Sequence, residues 1–195
     1  MRMIDTIEKH PLEPFLPANA RLLMLGSFPP PRARWSMDFY YPNLQNDMWR
    51  LYGLLFFGDK DYFLKEGKKS FDKERLIAFL DEKGVALFDT AMEIIRHKGN
   101  ASDQFLEVVT PVDLKRVLDR IPGCRAIVTT GQKATDTLLE QIDAVSPRVG
   151  GYSEFMYDGR PLRLYRMPSS SRAYPKPLEE KAADYRVMFH DLEML

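Results

Sequence analysis

Four short apolar runs, each bounded by a residue that interrupts a strand, constrain this 195-residue chain more than any other feature. Arg21-Leu-Leu-Met-Leu25 stops at Gly26, Val85-Ala-Leu-Phe-Asp89 follows Gly84, Cys124 to Thr130 stops at Gly131, and Leu162 to Met167 stops at Pro168. Compact apolar runs of this kind suit strands covered on both faces. Between them the apolar residues recur at helical spacing: Met48, Trp49, Leu51, Tyr52, Leu54 and Leu55 within Gln45 to Phe57, then again over 75–80, 132–142 and 178–192. Strands alternating with helices predict an α/β fold, a single three-layer domain over residues 1–195 with a mostly parallel four-stranded sheet and helices on both faces. Ligands of such sheets sit outside the carboxyl ends of the strands. The loops after the first and fourth strands are therefore where function is expected.

Composition removes several classes. Lys plus Arg and Asp plus Glu are both 28, so the net charge is zero, against a general nucleic-acid coat protein. Cys124 is the one cysteine, which excludes a disulfide framework and a cysteine metal site, and its place at a strand start suits a buried apolar role. His10, His97 and His190 are far apart in sequence and are expected to be structural or solvated. No apolar run spans a membrane, and the first twenty residues carry Glu8, Glu13 and several prolines where a signal peptide needs an apolar stretch. The expectation is a cytoplasmic monomer with no membrane association.

Two loops carry unusual chemistry. Residues 20–37 contain Arg21, Arg32 and Arg34 without an acid, and residues 160–177 contain Arg160, Arg163, Arg166, Arg172 and Lys176 without an acid. If they share one edge of the sheet they form a focused basic patch in a neutral protein; otherwise they are solvated charges balanced by neighbouring helices. Gly26-Ser-Phe-Pro-Pro30 leads to Tyr40-Tyr-Pro-Asn-Leu-Gln-Asn-Asp-Met-Trp49, which sets aromatic rings beside carboxamides, a mixture suited to a flat heterocycle. The same residues also suit a bland role, with Tyr40 and Tyr41 in the core and Asn43 or Asn46 capping the next helix. Pro168-Ser-Ser-Ser-Arg172 offers hydroxyls, backbone N–H groups and a guanidinium to phosphates, or is a plain turn before a helix. No P-loop and no Gly-x-Gly-x-x-Gly follows a strand, so nucleotide hydrolysis and dinucleotide binding lack support.

In this order the motifs resemble those of the uracil-DNA glycosylase superfamily, specifically its hypoxanthine-DNA glycosylase and mismatch-specific branch. Gly26-Ser-Phe-Pro29 matches a first Gly-Ser-Phe-Pro motif, and Tyr40, Tyr41, Asn46 and Trp49 match part of a Tyr-Tyr-x-His-Pro-x-Asn-x-Phe-Trp element. Pro168, Ser169 and Ser171 match a later Pro-Ser-x-Ser motif, while Asp89, Arg96, Gly99, Asp103 and the turn from Gly131 to Ala134 also look like family features. The sequence departs from the pattern at Asn43-Leu44 for His-Pro, at Met48 for Phe, at Pro30 for a small residue and at Arg172 for Pro.

The resemblance implies hydrolysis of the N-glycosidic bond of a deaminated base, uracil or hypoxanthine, in base excision repair, with damaged DNA as partner and neither metal nor cofactor. It assigns the catalytic role to Asn46 and base binding to Gly26, Ser27, Phe28, Tyr40, Tyr41 and Asn43, with Tyr41 as the preferred stacking ring. Arg32, Arg34, Pro168, Ser169, Ser170, Ser171 and Arg172 would hold the DNA. Asp47, turned about 100° from Asn46 on a helix start, is expected to be a solvated N-terminal acid. Two other readings stay open: a non-catalytic nucleic-acid-binding relative, and a small-molecule α/β enzyme acting on a nucleoside or phosphosugar.

Overall fold

The computed structural model describes residues 6–97 and 102–195, so Gly99 lies outside the described residues. The elements run β1 (Ile7–Lys9), β2 (Leu22–Gly26), α1 (Met48–Phe57), α2 (Lys73–Lys83), β3 (Val85–Asp89), β4 (Ala91–Arg96), β5 (Leu106–Pro111), α3 (Leu114–Asp119), β6 (Ala126–Thr130), α4 (Gln132–Leu139), β7 (Tyr152–Tyr157), β8 (Arg160–Met167) and α5 (Leu178–Asp191). The four expected strands are β2, β3, β6 and β8, and they are mutually parallel. Every residue of β2, β3 and β6 is buried. Successive side chains point to opposite faces, so burial at every position means that both faces of the sheet are covered.

The sheet is larger than four strands. Its order is β3-β2-β6-β8-β7, and β7 adds an antiparallel edge through a hairpin with β8. A second, three-stranded antiparallel sheet, β1-β4-β5, was not legible in the sequence. The alternating burial of β7 and the bulge between Ala91 and Glu93 in β4 dilute the apolar pattern that marks the inner strands. Helix α3 was also not anticipated; Asp113 caps it by accepting the Arg116 N–H at 3.1 Å.

Helix boundaries follow local chemistry. Asp72 caps α2 by accepting the Arg75 N–H at 3.2 Å, and Gly84 closes it in the left-handed region at φ 73°. A Cβ at Gly84 would also stand 2.7 Å from the Asn19 carbonyl. The core between α1, α2 and α5 is aromatic: Tyr52 lies 5.4 Å from Trp49, 6.0 Å from Phe79 and 5.4 Å from Phe189. Cys124 is buried as expected, and burial pushes its thiol up to about 11. Among the described residues no helix is long and apolar enough to cross a membrane, and no group of three or more His, Cys, Asp or Glu side chains converges.

Strand order fixes where a ligand can enter. From β2 the chain first adds β3 on one side and later β6 on the other, so β2 and β6 flank the point where the winding reverses. Loops leaving neighbouring strands diverge there and open a crevice at their carboxyl ends.

Candidate active site

A cleft of about 660 Å³ occupies that crevice, within the roughly 300–1,000 Å³ usual for small-ligand sites. The ends of all four parallel strands reach it, through Gly26, Asp89, Thr130 and Ser169. It gathers three segments distant in sequence, 26–30, 40–46 and 169–175. Of the residues assigned from sequence, all but Arg32 and Pro168 line it. Arg32 instead pairs with Asp38 at 2.7 Å and lies 4.1 Å over the Trp35 ring on the surface. Pro168 is buried, so it cannot hold DNA directly.

The first loop is rigid. Arg96 donates to the Pro29 carbonyl at 2.9 Å while its guanidinium is held by Glu8, and the Trp35 indole donates to the Pro30 carbonyl at 2.7 Å. Ser27 Oγ donates to Asp103 Oδ1 at 2.7 Å. Burial pushes the Asp103 carboxyl up from its ordinary range; the Ser27 hydrogen bond opposes this, and the Asp89 carboxylate adds to it.

The tyrosines separate in role. Tyr40 reaches the cleft only from a buried position: it is 3% exposed, and its hydroxyl donates to the Glu13 carbonyl at 2.8 Å. The core alternative therefore describes Tyr40 best. Tyr41 is half-buried with φ 50°, a left-handed conformation that costs a bulky residue on the order of 1–3 kcal/mol. Its ring stands edge-on to Trp49 at 5.7 Å, and its hydroxyl lies 3.1 Å from Thr130 Oγ1. Burial, with Asp89 adding, raises the Tyr41 hydroxyl well above the usual tyrosine value and keeps it neutral.

Both carboxamides also hold the backbone. Asn43 Oδ1 accepts the Gln45 N–H at 3.0 Å, and Asn46 Oδ1 accepts the Met48 N–H at 3.0 Å at the entry to α1. The helix-entry role and the catalytic role of Asn46 are compatible, because its Nδ2 group and a second lone pair on Oδ1 are not used by that bond.

Asp47 is not the solvated acid expected from helix geometry. It is 8% exposed, 3.0 Å from Arg172 Nε and 3.5 Å from Arg50 Nη1. The cause is tertiary: Asn46 and Ser171 form a β-bridge, the Asp47 N–H donates to the Ser170 carbonyl at 2.8 Å, and the Arg172 N–H donates to the Gln45 carbonyl at 3.0 Å. Lys181, 1% exposed, donates to the Ser171 carbonyl at 2.9 Å from behind. Ser169 and Ser171 hydroxyls each accept a backbone N–H within the turn, at 3.3 and 3.2 Å.

The single basic patch does not form. Arg160 binds the carbonyls of Leu118, Ile121, Pro122 and Cys124, Arg163 lies against Glu154 and Tyr152, and Arg166 donates to the Pro147 carbonyl. Arg160 and Arg163 sit at the amino half of β8, the opposite end of the sheet from the cleft. Arg34 and Arg172 are the arginines that line the cleft.

The sequence reading gave His10 no functional part and Asp89 no role of its own. In the structure His10 Nε2 lies 2.7 Å from Asp89 Oδ2, with the two side chains 2% and 7% exposed. The residues are 79 apart in sequence, and no spacing rule connects them.

No family model matches the chain, and no curated protein matches it. Among solved structures it is similar to the solution NMR structure of a "putative Uracil DNA glycosylase" from Methanosarcina acetivorans, with 23% identity over 96% of this chain and 99% of that one and a TM-score of 0.63. At that identity the likeness establishes a shared α/β fold over nearly the whole length of both chains.

Proposed function

We propose that this chain is a DNA glycosylase that hydrolyses the N-glycosidic bond of a deaminated base, uracil or hypoxanthine, as the first step of base excision repair. The observation that carries the reading is the convergence of the Gly26–Pro30 loop, the Tyr40–Asn46 segment and the serine turn on one cleft at the carboxyl ends of the parallel strands. The fold shared with a protein described as a glycosylase agrees with it.

A base inside a duplex cannot reach a cleft of this depth, so the nucleotide must leave the stack, at roughly a few kcal/mol, which a damaged or mispaired base lowers. Tyr41 and Phe28 offer ring surface to the extruded base. As the C1′–N bond breaks, negative charge grows on the base and positive charge on the sugar, and groups aimed at those positions act most strongly in a water-poor site. Asn46 Nδ2 donates to the departing base or holds the attacking water, whose proton passes on as the sugar C1′–O bond forms. Arg34 and Arg172 meet phosphates on either side, and the serine turn adds hydroxyl donors.

The test is a panel of oligonucleotides containing uracil, hypoxanthine or xanthine, incubated with the protein and cleaved at abasic sites by alkali. Release of at least one deaminated base is expected, and release of none discards catalysis. The bond from Asn46 Oδ1 to the Met48 N–H favours one alternative, a non-catalytic relative that uses this side chain only to enter the helix. Tight lesion binding without base release would establish that alternative.

A further inference from the structure

Asp89 ends β3 at the floor of the cleft, and its two carboxylate oxygens have different surroundings. Oδ2 is held by His10 Nε2 at 2.7 Å. His10 is itself fixed: Nδ1 faces the Leu12 carbonyl at 3.0 Å and its N–H at 3.1 Å, and the ring packs 4.7 Å from Phe88 and edge-on to Phe28 at 5.3 Å. Oδ1 lies over Gly26, 2.7 Å from where a Cβ would stand, with the Tyr41 hydroxyl 3.2 Å and Thr130 Oγ1 3.7 Å from the same point. Among the described residues nothing donates to Oδ1, although Asp89 is 5% exposed. A carboxylate oxygen withdrawn from water without a donor is unfavourable, and the cleft is the side from which a donor can come.

We propose that Asp89 Oδ1, its partner oxygen occupied by His10, is the acceptor that reads a single ring N–H on the polar edge of a base bound in this cleft. This rests on the glycosylase reading for the kind of ligand and adds the means of selection. Hypoxanthine and uracil each present a ring N–H beside a carbonyl, and the Tyr41 hydroxyl, close to the same point, is able to donate to that carbonyl. Guanine presents two adjacent N–H donors, which a free carboxylate would match with both oxygens. With Oδ2 held by His10, one guanine donor stays unpaired, and a buried unpaired donor is penalised. His10 acts through Asp89 and is a positioning residue.

The experiment compares 2′-deoxyinosine, 1-methyl-2′-deoxyinosine, 2′-deoxyuridine, 3-methyl-2′-deoxyuridine and 2′-deoxyguanosine by NMR titration of the full chain, alongside single-turnover release of the same bases from oligonucleotides. The parent is expected to favour an N–H base over its N-methyl partner by about 10- to 100-fold, the range of a hydrogen bond to a charged acceptor. Asp89→Ala is expected to abolish that preference, and His10→Ala to raise 2′-deoxyguanosine binding relative to 2′-deoxyinosine, a ratio that simple loosening of the fold would not move in one direction. Should Asp89→Ala fail to fold, Asp89→Asn keeps the shape and is expected to weaken N–H bases by about tenfold. Unchanged discrimination in a folded Asp89 variant overturns the proposal while leaving the glycosylase reading intact if bases are still released. Discrimination without any release keeps the Asp89 assignment and removes the glycosylase reading, and absence of both binding and release removes both.

Discussion

Substitution of Asn46 separates its two structural duties. Its Oδ1 accepts the Met48 N–H at 3.0 Å, and Met48 is fully buried. Asn46→Ala removes that acceptor at the start of α1, a neutral hydrogen bond worth about 0.5–1.5 kcal/mol. For a chain of this length each kcal/mol moves the melting temperature by roughly 2–4 °C, so a fall of about 1–6 °C is expected with the fold intact. The chemical loss is larger. If Nδ2 acts like a donor to a developing oxyanion, its removal lowers single-turnover base release by about 10²–10³, or about 2.7–4 kcal/mol. Asn46→Asp distinguishes the two, because aspartate still accepts the Met48 N–H and its charge is favourable at a helix N-terminus, yet it offers no donor. Asn46→Asp is therefore expected to melt at or above the parent temperature while losing base release as severely as Asn46→Ala. Melting followed by circular dichroism, and release from a lesion oligonucleotide under excess protein, measure the two effects on the same samples. Parent rates in Asn46→Asp on every base the parent excises would refute the catalytic assignment, and unchanged melting in Asn46→Ala would refute the helix-entry role.

Tyr41→Ala is expected to weaken both lesion binding and release by roughly 1–3 kcal/mol, the value of a base-stacking ring, measured by titration of a labelled lesion duplex. Arg172→Ala should lower lesion affinity and reduce the slope of log K against log salt by about one contact; an unchanged slope would show that Asp47, 3.0 Å away, already neutralises the guanidinium. In Gly26→Ala the new Cβ would stand 2.7 Å from Asp89 Oδ1 and 3.2 Å from the Tyr41 hydroxyl, so base release should fall more than stability, as a melting curve beside an activity assay would reveal. Asp103 has its carboxyl raised by burial, so its contribution to stability is full below the unfolded value near pH 4 and is lost as pH rises through the folded value. The melting temperature of Asp103→Asn relative to the parent is accordingly expected to climb from about pH 4 upward, and a flat difference would contradict the desolvation.

The inner strands β2, β3, β6 and β8 were legible in the sequence because their pattern is local: a strand buried on both faces is apolar throughout and ends at Gly, Asp or Pro. Helices α1, α2, α4 and α5 were legible for the same reason, through spacing that any window of a dozen residues displays. The sequence also determined which loops carry the cleft, since a parallel sheet places its ligands at the strands' carboxyl ends whatever the residues there. Only the tertiary structure decided which charges meet. Asp47 and Arg172 are 125 residues apart, and His10 and Asp89 are 79 apart, so strand order and loop bridging, not periodicity, bring each pair together. The same holds for Arg160, Arg163 and Arg166, which share an acid-free stretch with Arg172 but sit along β8, where neighbouring carbonyls, Glu154 and Tyr152 occupy them. Backbone propensity acts over a few residues and is written in the chain, whereas an ion pair depends on the distance between side chains, which exists only once the sheet has assembled.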